Sequence, residues 1–278
     1  MKILVTSASG ANGDGYGQVL AFSIDGLPLG TFSDDPRITD PRGMRVSTDS
    51  QLLYINSGSD RILALDKSGT IQLDSGHIPG LNAGGGNLGP NGQYYVGLRT
   101  DKTVTAFPAN LDSRAIPVLQ HGVVPFPRGF AYADDGSLFL ASGIGPQGNG
   151  ENTILEFSPD GKLKSARHIT DNAVSPLDLA IGPNGNILVS SEFPYGQDSS
   201  VTTVREYDRL NGELVRIFSP EKRVSFRHPR GLRFGPGGHL YCVAQDEVVV
   251  FDFYTGQFLD VVIHHPRLNG QAIEFFGD

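Results

Sequence analysis

Three arginines recur at one place in a repeated unit, and they are the strongest chemical signal in the chain. Arg42, Arg128 and Arg230 each follow a proline and precede a glycine, in Pro41-Arg42-Gly43, Pro127-Arg128-Gly129 and Pro229-Arg230-Gly231. Aligned openings put Asn269, Gly84 and Leu177 at the same position, so arginine falls in alternate copies. A guanidinium stays charged and presents a planar fork that suits carboxylate or phosphate. Three of them converging on one axis repel each other unless anions lie between. The chemistry this predicts is capture of an anionic small molecule or the acidic end of a peptide. The competing assignment is structural, with each arginine paired to Asp178, Glu192 or a backbone carbonyl.

Other reactive residues give weaker patterns. The histidines (His77, His121, His168, His228, His239, His264 and His265) show no metal-ligand spacing. His228 and His265 each precede a proline just before a repeat opening, where either could serve as a general base near neutral pH. No Gly-x-Ser-x-Gly elbow occurs, and the single cysteine, Cys242, has no motif around it and reads as core filler. Ser9–Gly17 carries Asn12 and Asp14 but lacks the further acids of a calcium loop. Its glycines precede no helix that could bind phosphate. Glu192 with Asp198 or Asp178 is a possible carboxylate pair that sequence alone does not bring within reach.

The elements that position these groups repeat about every 40 residues, a spacing typical of four-stranded propeller blades. His228–Ile263 shows the unit most plainly: an alternating strand, a Gly237-Gly238 turn, a second strand, a short connection, a third strand over Val248–Asp252, a Thr255-Gly256 turn and a fourth strand. The third strand recurs as Val19–Phe22, Ile62–Leu65, Val104–Phe107, Ile154–Phe157 and Val204–Tyr207. Leu268–Phe276 reads as a first strand with no successor, and Met1–Thr6 as a second strand with no predecessor. Together they complete one blade and leave no free edge at the seam. The fold predicted is a single all-β domain, a six-bladed β-propeller of four-stranded antiparallel blades. The blades span 268–278 with 1–34, then 41–78, 83–119, 127–169, 176–218 and 229–263.

In this arrangement three long loops gather at one mouth: Ser9–Gly17, Gly143–Asn152 and Glu192–Ser200. They carry Asp14, Tyr16, Glu151, Glu192, Tyr195 and Asp198, and Tyr16, Glu192 and Tyr195 are expected on the wall of a site. Arg45 and Arg233 lie further along their strands, with Asn87 in the same slot, and buried pairing is expected for them. Phe251, Phe253 and Phe258 read as packing between blades.

The pattern Pro-x-Gly, alternating strand, Asp/Asn-Gly, strand, then Ile/Val-x-x-Phe/Leu-Asp resembles the NHL repeat over nearly the whole chain. It is also similar to the wider six-bladed group of gluconolactonases and senescence marker proteins. That resemblance implies the propeller fold, but the group includes enzymes, RNA binders and scaffolds, so it leaves activity open. In gluconolactonase-like enzymes the second inner-strand position supplies Asn and Asp metal ligands, and in the amidating lyase of the NHL group it supplies zinc-binding histidine. Here only Asn269 matches a ligand type, and Asp178 sits one place late. A divalent metal beside Arg42, Arg128 and Arg230 would be strongly repelled. No cofactor is therefore expected. The streptogramin lyases use a histidine base with magnesium, on seven blades rather than six.

Composition bounds the partners. The chain has 278 residues, 36 glycines, 18 prolines and a net charge of −8, which weighs against nucleic acid as a partner. No apolar run approaches the roughly 20 residues of a membrane span. Lys2 and a short apolar run do not make a signal peptide, and a cytoplasmic location is expected. Three readings follow: a module binding an anion through Arg42, Arg128, Arg230, Asp178 and Asn269; a hydrolase or lyase with His228 or His265 as base; or a protein-interaction scaffold.

Overall fold

A computed structural model describes residues 1–8, 17–47, 49–112, 115–143, 152–192, 203–220 and 226–277. In chain order, β1 (Lys2–Ser7), β2 (Gln18–Phe22) and β3 (Pro28–Ser33) share one sheet. The second sheet holds β4 (Gly43–Val46), β5 (Leu53–Ser57), β6 (Arg61–Leu65) and β7 (Ile71–Asp74). The third holds β8 (Ala83–Leu88), β9 (Tyr94–Leu98), β10 (Thr103–Phe107) and β11 (Ile116–Pro117). The fourth holds β12 (Pro127–Tyr132), β13 (Leu138–Ser142), β14 (Thr153–Phe157) and β15 (Leu163–Thr170). The fifth holds β16 (Ser175–Ile181), β17 (Ile187–Glu192), β18 (Thr203–Tyr207) and β19 (Leu214–Phe218). The sixth holds β20 (Pro229–Phe234), β21 (Leu240–Ala244), β22 (Glu247–Phe251) and β23 (Phe258–His264). Last, β24 (Gly270–Phe276) pairs antiparallel with β1, Ile3 opposite Phe275 and Val5 opposite Ile273. The result is a six-bladed β-propeller closed through the sheet that joins the two ends of the chain. No helix among the described residues is long and apolar enough to cross a membrane.

The middle strands explain why the sheets stack. β2, β5, β9, β10, β13, β18, β21 and β22 are buried along their whole length, because each is covered on both faces by neighbouring blades. Their runs of Val, Ile, Leu and Phe suit a strand with two apolar faces. The core therefore lies between blades: Phe218 of β19 packs 5.7 Å from Phe251 of β22 and 6.4 Å from Phe253. Cys242 is fully buried in the same layer, and burial pushes its thiol well up. The outer strands face solvent, as β19 does with Leu214, Val215 and Ile217.

A second contact recurs around the rim. In the turn after the third strand, Gly69 sits so close to the preceding blade that a Cβ would lie 1.9 Å from the Phe32 carbonyl oxygen. Gly212 meets the His168 carbonyl in the same way, and at the seam Gly26 meets that of Val262. All three have positive φ, so each turn needs glycine for both its conformation and its clearance.

The inner strands β24, β4, β8, β12, β16 and β20 line the central channel as neighbours. Strand register places equivalent residues in layers. Pro229 faces Ala244 and Leu232 faces Cys242, while at the seam Gly270 faces Ser7 and Ile273 faces Val5. The seam strand is thus offset by two residues from the alignment read off the sequence. Gln271, not Asn269, shares the layer of Arg42, Gly84, Arg128, Leu177 and Arg230. The Asn269-Gly270 pair imitates an Arg-Gly opening, but Gly270 is small because a side chain there would strike Val243.

Candidate functional site

At the mouth where the inner strands begin lies a cavity of about 330 Å³. Arg42, Arg128, Arg230, Asp178 and Asn269 line it together, as does Gln271. Asn269 reaches it from just before the strand, in the layer that Asp40 and Phe126 occupy in their own blades. Tyr16 and Tyr195 lie outside the described residues, as do Asp14, Glu151 and Asp198; Glu192 ends β17, and its side chain is likewise not described. His228, with a left-handed φ of 47° before Pro229, is not among the described residues lining the cavity. Neither is His265, which packs edge-on against Phe22 and accepts a hydrogen bond from the Arg267 N–H. Burial and the neighbouring Arg267 push the His265 imidazole below its ordinary range.

Sequence reasoning missed Arg99, Phe126 and Asp40 on this wall. Gly84 carries no side chain in the arginine layer, since a Cβ would lie 2.3 Å from the Pro127 carbonyl oxygen. Arg99, from the loop after β9, passes over that gap, with Nε 3.4 Å from where the Cβ would sit. Its guanidinium lies 5.2 Å from the Phe126 ring centroid, and that of Arg128 lies 4.7 Å from the same ring. Gly143 leaves room for the Arg128 stem. The two charges are therefore at most about 10 Å apart and repel by roughly 1.7 kcal/mol or more at an effective dielectric of 20. A monoanion about 4 Å from either is attracted by roughly 4 kcal/mol, so an anion there offsets the repulsion. The only sequence signal for Phe126 and Asp40 was their shared place before an opening proline.

Asp40 pairs with Arg42 two residues on, from a backbone with a left-handed φ of 37°. Arg230 donates to the Gly270 carbonyl at 3.4 Å, and Gln271 donates to that of Asn269. Asp178 is the third residue of its opening, Pro176-Leu177-Asp178, where the blades holding Gly43, Gly85, Gly129 and Gly231 have glycine. It accepts from the Leu232 and Leu179 N–H groups at 3.1 and 3.0 Å and pairs with Arg233 at 3.2 Å. Burial pushes its carboxyl above the ordinary range, against the opposing pull of Arg45 and the N–H donors.

Below the cavity, the fifth-position layer forms a charged floor. Glu274 lies between Arg233 at 3.6 Å and Arg45 at 3.8 Å. Arg45 donates to Asn87 Oδ1 at 2.6 Å, and Asn87 donates to the Phe130 carbonyl at 2.8 Å. Arg233 also reaches the Met44 carbonyl at 3.2 Å. Burial pushes the Glu274 carboxyl up despite Arg45. Arg45 and Arg233 are thus paired and largely buried, but in the channel itself, and the sequence alignment hid Glu274 through the two-residue offset. Arg233 borders both the mouth cavity and a second cavity of about 580 Å³ at the opposite end.

The divalent metal of gluconolactonase-like enzymes does not fit the described residues. Asp40 and Asp178 are engaged by Arg42 and Arg233, and no group of three His, Cys, Asp or Glu residues among those described could hold an ion.

Comparison with known proteins places the shape. A scan of family models finds no match, and neither does a search of curated proteins. Among solved structures, a chain of the nidogen–laminin complex is similar over 98% of this chain and 97% of that one, with a TM-score of 0.75 at 13% identity. A gluconolactonase from Xanthomonas campestris is similar over 95% and 86%, with a TM-score of 0.68 at 18% identity. A virginiamycin B lyase from Staphylococcus aureus is similar over 84% and 73%, with a TM-score of 0.58 at 14% identity. At these identities the likeness is one of fold.

Proposed function

We propose that the mouth cavity is a binding site for a small anionic molecule. One observation carries this reading: five arginines (Arg42, Arg99, Arg128, Arg230 and Arg233) line about 330 Å³ of a protein whose net charge is −8. A cationic cavity in an acidic chain concentrates anions at one place and repels them elsewhere, which favours selective capture. Arg42, Arg128 and Arg230 hold the ligand, Asn269 and Gln271 supply neutral polar contacts, and Phe126 holds two guanidiniums in place.

Isothermal titration calorimetry of the whole chain with inorganic phosphate, succinate and citrate tests this. The Arg42→Ala/Arg128→Ala/Arg230→Ala variant is expected to lose at least a hundredfold in affinity for whichever anion binds. Unchanged affinity in a folded triple variant overturns the reading. Turnover of a lactone, the chemistry named for the similarly shaped gluconolactonase, would reassign the cavity to hydrolysis. Capture of an acidic peptide without any small anion would reassign it to protein recognition.

A further inference from the structure

We infer that an anion entering the mouth cavity is taken up together with a proton, and that Asp178 receives the proton; this rests on the anion-binding reading and specifies how the same site responds to pH. The channel floor is balanced in charge, because Arg45 and Arg233 face Asp178 and Glu274. Of these two carboxyls, Asp178 lines the cavity, and Glu274 is not among the described residues that do. The Asp178 side chain is about one-fifth exposed. Its Oδ1 lies over Gly129, 2.4 Å from where a Cβ would sit. Its Oδ2 accepts from the Leu232 N–H at 3.1 Å and from Arg233 at 3.2 Å.

An anion in this space unbalances the floor. A cavity of about 330 Å³, taken as a sphere, puts an anion at its centre roughly 7 Å from the wall groups, where like charges shift each other's equilibria by more than tenfold at an effective dielectric of 20. Burial has already pushed the Asp178 carboxyl above its ordinary range, and a ligand's negative charge pushes it further the same way. The proton comes from solvent and sits on Oδ1, which holds the Leu179 N–H, because Oδ2 already holds two donors.

The other groups around Asp178 do not take its place. Arg42, Arg99, Arg128 and Arg230 on the wall, and Arg45 and Arg233 toward the floor, keep their charge at any working pH. Asp40 pairs with Arg42, and its side chain is 40% exposed, so solvent screens it from the ligand. Glu274 shares the push from burial but stands in the floor between Arg233 and Arg45. Tyr94 and Cys242, which interact electrostatically with Asp178 from β9 and β21, are pushed up by burial and stay neutral.

The test is calorimetry of the full chain with sulfate, phosphate, succinate and citrate. Sulfate keeps its charge from pH 5 to pH 8, and the titration of the other anions is subtracted. By linkage, uptake of one proton makes affinity rise as pH falls, by at most tenfold per pH unit. Affinity is expected to be at least tenfold higher at pH 5 than at pH 8. Binding heats in two buffers of different ionisation enthalpy are expected to show net proton uptake. Asp178→Asn removes the charge but keeps the shape. It is expected to bind at pH 8 about as tightly as the parent binds at pH 5, with no uptake, a gain that a damaged fold does not produce. Asp40→Asn is expected to keep the uptake. If Asp178→Asn does not fold, carboxyl NMR of the parent with and without saturating anion reads the same event, and an Asp178 titration that the anion leaves unmoved overturns the inference. Uptake that survives in folded Asp178→Asn overturns the assignment to Asp178. Binding without pH dependence or uptake overturns the proton while leaving anion capture intact. No binding of any of these anions to folded protein overturns both.

Discussion

Arg233 is the residue on which the channel floor turns, and replacing it with methionine gives a quantitative prediction. The side chain is about one-tenth exposed and meets Asp178 at 3.2 Å, Glu274 at 3.6 Å and the Met44 carbonyl at 3.2 Å. Methionine keeps much of the volume but leaves two buried carboxylates with Arg45 as their remaining guanidinium. Breaking a buried ion pair from one side costs roughly 3–5 kcal/mol, which for a domain of this size lowers the melting temperature by on the order of 10 °C. The pH dependence has a definite sign. Both carboxyls already titrate above their ordinary values in the folded state. A carboxyl raised on folding binds its proton more tightly when folded, so stability falls as pH rises from the unfolded value, about 4, through the folded one, and is flat above it. Losing Arg233 raises both further, so the variant's deficit should be larger at pH 7 than at pH 5, where the carboxyls can accept protons. The chain has no tryptophan, so urea unfolding followed by circular dichroism or tyrosine fluorescence is the appropriate assay. A loss below about 1 kcal/mol, or a deficit as large at pH 5 as at pH 7, refutes the view that these carboxylates depend on Arg233.

Three further outcomes follow from the geometry. Gly84→Ala places a methyl 2.3 Å from the Pro127 carbonyl oxygen and must part β8 from β12, so chemical denaturation should show a loss of roughly 1–3 kcal/mol. Phe126→Ala removes the ring under both Arg99 and Arg128; losing the worth of one cation–π contact, about 0.5–2 kcal/mol, implies a roughly two- to thirtyfold loss of anion affinity by calorimetry, with little change in melting temperature. The Asp135 carboxyl, held by the Ser137 N–H and by Arg209, should titrate at about 2 by carboxyl NMR. Its contribution to stability is present above the ordinary carboxylate value, near 4, and is lost as pH falls toward 2; Arg209→Ala should move the midpoint up.

How much of this was legible depends on which forces act locally. Third strands such as Val248–Phe251 announce themselves because burial on both faces demands continuous apolar residues, and turns such as Asp160-Gly161 do so because a positive φ demands glycine. From these the blades and their closure follow. Arg42, Arg128 and Arg230 were legible as a set because one repeat position places them in one layer. Register at the seam was not legible. It is set by pairing across the sheet, Gly270 opposite Ser7 as Pro229 is opposite Ala244, and Asn269-Gly270 copies the local pattern for a different steric reason, which concealed Gln271 and Glu274. Arg99 was hidden because a loop residue fills space left by a glycine in another strand, a relation that no periodicity encodes.

The glycines of the cavity wall have one more consequence. At Gly43, Gly84, Gly85, Gly86 and Gly129, any added side chain would come within 3 Å of a neighbouring atom. One arc of the pocket is therefore peptide backbone that mutation cannot redecorate without prising the strands apart. Changes in what this pocket accepts are open to the chain chiefly at the facing positions: Asp40, Arg99, Phe126, Leu177 and Gln271. Relatives with different ligands should differ there, over an arc of glycine that stays bare.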